Sequence, residues 1–247
     1  MTALAHLWDR LTAAGPVLAT WLVALTAACA LFTVLSQRAW HVSRNVVTLA
    51  HEGGHAVVSL ATGRRLDGIR LHSDTSGVTS SRGKTSGAGL ILTTAAGYVT
   101  PSLLGLAAAW LLAARHATFL LWLVLLLLAA SFAALRNAYG VLAVLATAAV
   151  VLGVSHFGSA EAQELFAYLV AWFLLFGGIR PVFELQSRRR RGGALASDAD
   201  QLALLTGVPG GAWVFVFAVV SVLALAVGGA WLLPGLSHWM LAAHGHL

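Results

Sequence analysis

This sequence is short of charge. Its 15 Lys or Arg and 9 Asp or Glu make up 10% of 247 residues, against roughly 25% in a soluble domain. That is too little to cover a water-facing surface. Disorder is excluded by the opposite feature, since 59% of the chain is apolar and disordered segments are poor in hydrophobic residues. Cysteine is nearly missing. Cys29 stands alone, which rules out a disulfide framework and a cysteine-rich zinc ribbon. No solenoid-period repeat occurs, and no low-complexity linker beyond Arg188–Arg191. What fits is one integral membrane domain over 1–247, an all-α polytopic protein.

A spanning helix needs about 20 mostly apolar residues. Seven stretches qualify: 16–35, 45–61, 87–113, 118–135, 138–155, 164–182 and 211–233. A run such as Leu120 to Ala130 is apolar on every side, so these are helices and not the alternating strands of a barrel. The first stretch lacks the strongly basic start of a signal peptide, and we read it as a retained span.

The basic residues set the expected orientation. With seven spans, one side holds Arg10, Arg64, Arg65, Arg70, Arg82, Lys84, Arg136, Arg180 and Arg188–Arg191, and the other holds Arg38, Arg44 and Arg115. The positive-inside rule puts the richer side in the cytoplasm. That places the N-terminus inside, the C-terminus outside and a basic cytoplasmic loop at 183–196. The formal charge of +6 then reports topology, and no nucleic-acid partner is expected.

The polar stretch Thr62–Ser86 follows the second span. Ile69, Leu71 and Val78 flank the turn-like Asp74-Thr75-Ser76-Gly77, so a short hairpin is expected there. An exposed edge on it would suit an extended peptide.

The second span contains His51-Glu52-Gly53-Gly54-His55. Residues four apart on a helix share one face, so both imidazoles can reach one zinc ion. Glu52, rotated about 100° from His51, can flank the open position, where a general base belongs. The His-Glu-x-x-His pattern is expected by chance only ~0.006 times in a chain with this many His and Glu. Glu52 is also the one acidic residue well inside any apolar stretch. A charge at mid-membrane costs about 2.5–3.5 kcal/mol on insertion scales and is by default functional. Gly53 and Gly54 bring backbone close to a neighbour or substrate.

Catalytic zinc takes three protein ligands plus water, so a third must come from elsewhere. Asp198, Asp200, Asp67, Asp74, His72 and His156 are the candidates. Ser197 followed by Asp200 reads as a helix N-cap with an acidic third position. Leu202 and Leu205 could let that helix dip into the bilayer until Gly207 and Pro209 break it.

These residues resemble the site-2 protease family of intramembrane zinc metalloproteases, in its compact bacterial branch. The order of features is similar: His51-Glu52-Gly53-Gly54-His55 in a span, a polar segment ending near Ser76-Gly77-Val78, Ala96-Gly97-Tyr98-Val99-Thr100-Pro101 in the next span, and Ser197-Asp198-Ala199 before the last. The resemblance covers about 45–215, the expected zinc-protease core. It implies zinc as cofactor, His51, His55 and Asp198 as ligands and Glu52 as catalytic base. Leu66-Asp67-Gly68 matches the family's third-ligand context but comes far too early, and the Asn-Pro element of other branches is missing. Gly97 and Gly105 lie eight apart on one helix face and suit close packing or a cleft wall. Asn137, at a span edge, is a candidate oxyanion donor or a capping residue.

The expected function is an intramembrane zinc metallopeptidase in a bacterial cytoplasmic membrane, acting on membrane-protein or peptide substrates in the lipid bilayer. The alternatives are a non-proteolytic zinc-binding membrane scaffold of the same ancestry and a metal-ion transporter. The transporter would want polar residues in several spans, which this chain lacks.

Overall fold

The computed structural model describes residues 14–192 and 197–233. Arg10 and the tail histidines His238, His244 and His246 fall outside them. Among the described residues, eight helices and one hairpin follow in order: α1 Thr20–Leu35, α2 Gln37–Ala61, β1 Arg65–Leu71, β2 Gly77–Arg82, α3 Ala88–Ala113, α4 Ala117–Ala134, α5 Ala138–Phe157, α6 Ala160–Arg190, α7 Asp198–Thr206 and α8 Gly210–Leu232. Helices dominate and the sheet is a single pair, so the chain is an all-α polytopic membrane protein. Five helices (α3, α4, α5, α6 and α8) are long and apolar enough to cross a membrane.

The first two expected spans form one bent pair of helices. α1 and α2 meet at 99° with one residue between them, and together they count as at most a sixth span. The cause is local. Ser36 leaves the helical region at φ −68°, ψ 121°, and its side chain accepts from Ala39 N to cap α2. Arg38 and Arg44 therefore lie on α2 and not in an outer loop. Gly15 N donates to Arg115 O, beyond the end of α3. Gly228, near the end of α8, packs against Ala109 and Leu175. Both described ends thus stand at one end of the bundle, away from the hairpin.

Small residues let the inner helices approach closely. A Cβ on Gly105 of α3 would stand 2.8 Å from the Leu175 backbone nitrogen of α6, and one on Gly178 would stand 3.0 Å from Ser102 N. Leu112, Leu121 and Leu175 close the core at that level.

The hairpin folds back along α2. β1 and β2 pair antiparallel, with a register shift between Leu66 and Gly68. The tip is tied to α2 where Thr48 Oγ1 donates to Thr75 O at 2.9 Å. From Thr48 to Ala61 a helix rises about 20 Å, the reach of a strand of this length. The link between α4 and α5 occupies the outer edge of β1. Ile69 bridges Leu135, and Arg136 N donates to Ile69 O at 2.9 Å. The outer edge of β2 has no backbone partner among the described residues.

Candidate metal centre

His51 and His55 lie one turn apart on α2, and their Nε2 atoms are 3.1 Å apart. Ser197 caps α7 by accepting from Asp200 N, and this sets Asp198 as the first helical residue. Asp198 Oδ2 then stands 3.3 Å from each Nε2. Tetrahedral zinc with bonds of 2.0–2.2 Å holds ligand atoms roughly 3.3 Å apart, so the triangle has the size a metal requires. Asp198 Oδ2 is buried and has no hydrogen-bond partner among the described residues. An orphaned buried carboxylate oxygen aimed at two imidazoles is costly unless something else binds it. The three side chains, 12–20% exposed, form a group that could hold a metal ion.

His55 is oriented from behind. Its Nδ1 is 2.7 Å from Thr93 O. A carbonyl only accepts, so Nδ1 carries the proton and Nε2 keeps its lone pair for the shared centre. His51 is held differently, by the edge of the Tyr98 ring at a centroid distance of 4.7 Å. Tyr98 in turn stacks on Phe217 of α8 at 5.2 Å. Gly97 makes the space, since a Cβ there would stand 2.6 Å from His51 Nε2 and would also collide with His55. A Cβ on Gly54 would stand 2.7 Å from Thr100 Cβ, whereas Gly53 meets nothing within 4 Å.

Glu52 is 4% exposed. Thr79 Oγ1 of β2 lies 2.7 Å from Glu52 Oε2 and 3.0 Å from its backbone oxygen, so one hydroxyl hydrogen serves both. Gly77 leaves the room, because a Cβ there would meet Glu52 Cγ at 2.6 Å. His51, Glu52 and Asp198 face one cavity of about 630 Å³ whose walls include Arg44, Thr48, Gly77, Tyr98 and Arg188.

The other candidate ligands are engaged elsewhere. Asp200 is ion-paired to Arg189 and accepts from the Ser197 hydroxyl. Burial pushes its carboxyl up, but Ser197 and Arg189 outweigh that and hold it below the usual carboxylate range. Asp67 pairs with Arg82 at 2.8 Å on the hairpin, and that guanidinium holds its carboxyl down. Asp74 accepts from Ser76 in the turn, where His72 also sits. His156 ends α5, edge-on to Phe157. Asn137 does not line the cavity. Its Nδ2 donates to Leu71 O at 2.6 Å and its Oδ1 accepts from Leu71 N at 3.2 Å, so the side chain is spent on the hairpin.

Over residues 24–228 the sequence matches the family described as Peptidase M50B-like. The chain belongs to that family. M50 peptidases are generally zinc metalloproteases, so membership of the M50B-like family supports a protease in the membrane. Neither a curated protein nor a solved structure matches the chain. Residues that the motif reading left without a role are Thr79, Thr93 and Tyr98. The two threonines stand in segments with no motif of their own, and Tyr98 sits inside the quoted Ala96–Pro101 stretch.

Proposed function

We propose that the chain is a zinc-dependent intramembrane protease that cuts peptide bonds in or beside membrane-spanning segments of other proteins. The observation that carries this is Asp198 Oδ2, which a separate helix brings to 3.3 Å from both imidazoles and which has no hydrogen-bond partner among the described residues. His51, His55 and Asp198 would hold the ion. Zinc, when bound, supplies Lewis-acid activation of a water and of the substrate carbonyl. Glu52 takes the proton of the attacking water and returns it to the leaving nitrogen. Thr79 keeps the carboxylate turned to the cavity by holding Oε2. The free edge of β2 pairs with an unwound stretch of substrate and presents it beside Glu52, because helical peptide bonds are shielded from attack. Charge favours the hairpin end as the cytoplasmic face, since Arg64, Arg65, Arg82, Lys84 and Arg188–Arg191 gather there.

Two variants test the reading. Glu52→Gln should keep its zinc and lose cleavage of a transmembrane model peptide. Retained wild-type cleavage would end the assignment of the base and favour a non-proteolytic role. His51→Ala with His55→Ala should empty the site by metal analysis. Unchanged zinc content would show that the ligands are elsewhere.

A further inference from the structure

Attack on a peptide carbonyl puts negative charge on its oxygen, and proteases place a hydrogen-bond donor there. Asn137 is committed to Leu71, and Glu52 acts by accepting a proton. The donor must therefore come from the cavity wall. The cavity's hydroxyl donors are Thr48, Thr75, Ser76, Ser197 and Tyr98, with Arg44 and Arg188 as cations. Four of the hydroxyls are spent: Thr48 on Thr75 O, Thr75 on Asp74 O, Ser76 on Asp74 Oδ1 and Ser197 on Asp200 Oδ2. Arg44 is drawn to Glu184 at 3.4 Å. Arg188 is exposed at the mouth, on a long flexible stem.

Tyr98 differs from all of these. The Tyr139 hydroxyl takes a hydrogen bond from Asn45 Nδ2 at 3.1 Å, whereas that of Tyr98 has no partner among the described residues. Tyr168 is also unpartnered, but it stands near the opposite end of α6, away from the cavity. The Tyr98 hydroxyl is not sealed in the bundle as Ser102 Oγ or Trp40 Nε1 is, and its residue lines the cavity. Its ring is locked between His51 and Phe217, a residue 1% exposed. It is a donor held rigidly beside the metal group and left open on the cavity side, the preorganisation that oxyanion stabilisation needs.

We propose that Tyr98 is a catalytic residue whose hydroxyl donates to the carbonyl oxygen of the scissile peptide as charge develops on it. No bond beyond that hydrogen bond forms, and the phenol keeps its proton. The proposal rests on the protease reading above.

The test is Tyr98→Phe in the full-length protein, in detergent or vesicles. Zinc content and zinc affinity should match wild type, because the ring against His51 is kept. Cleavage of a fluorogenic transmembrane peptide should lose about 10²-fold in kcat with little change in KM. A phosphinate pseudopeptide, which carries tetrahedral oxygens, should bind more weakly by a similar factor. Tyr98→Phe within about twofold of wild type in rate and pseudopeptide affinity would overturn the proposal, and so would a loss of zinc that accounts for the whole effect. A wild-type protein that binds zinc and cuts nothing would instead refute the protease reading, and this outcome is distinguishable because it appears without any substitution.

Discussion

The inner and outer helices of this bundle are built on different terms. In α3 and α6, 44% of the apolar stretch is buried, against 22% in α4 and 17% in α5. The outer pair is apolar all round, with Leu126, Leu142 and Val150 well exposed to where lipid would lie. The inner helices carry Gly97, Gly105 and Gly178 at their contacts, and α3 adds Thr93, Thr94 and Thr100. α2, which bears the histidines, qualifies as spanning only together with α1. Apolarity therefore marks where the protein touches lipid, and its dilution marks where the chemistry sits.

Glycine offers the sharpest test of that contrast. Among the glycines, Gly97→Ala should have the largest effect. Its methyl group would enter the space of both imidazoles, so zinc affinity should fall by about 10- to 100-fold, as for disturbed supports of metal ligands. Metal titration and cleavage rates would show it, and a fully active Gly97→Ala protein would break the comparison. The link between the outer pair is the exception, where the side chains of Asn137 and Arg136 tie the helices to β1. Asn137→Ala leaves two backbone groups of Leu71 unmet at about 1–3 kcal/mol each. The hairpin should then exchange its amide hydrogens faster and cleavage should fall by roughly tenfold or more, with zinc content kept. Asp200→Asn loosens α7 by weakening the pair with Arg189. Zinc affinity should drop a few-fold, consistent with the 0.5–2 kcal/mol worth of a helix cap, and Asp198→Asn should be far worse. Gly153→Ala on α5 meets nothing within 4 Å. It should leave rate, zinc content and melting behaviour unchanged.

The same contrast explains what could be read from sequence. Hydropathy located α4 and α5 almost to the residue, since 118–135 and 138–155 became Ala117–Ala134 and Ala138–Phe157. It did worse on the inner elements. α2 begins at Gln37 because its first turns, with Arg38, His41 and Arg44, are helical but polar. α6 runs on to Arg190 through Glu184 and the arginines for the same reason. Local chemistry was legible where one residue suffices: the turn before Gly77, the Ser197 cap and the stop at Gly207, which sits at φ 73°. The bend at Ser36 has neither proline nor glycine to announce it. The Thr79 tether, the Asn137 dock and the Tyr98 stack join residues 27, 66 and 119 positions from their partners or more, and no local pattern encodes such contacts.

The break at Ser36 also has a consequence for the surrounding bilayer. α1 has 16 residues, a length of about 24 Å, where the hydrocarbon layer is about 30 Å thick. The remaining depth falls to the first turns of α2, which turn Gln37, Arg38 and His41 outward. A membrane meets such a shortfall by thinning or by admitting polar groups. Arg44, about two turns further along α2, lines the cavity, so a deformation of that kind would lie near the site. Were the proposed hydrolysis to run there, each cut would draw one water, and the break at Ser36 would offer it a polar approach.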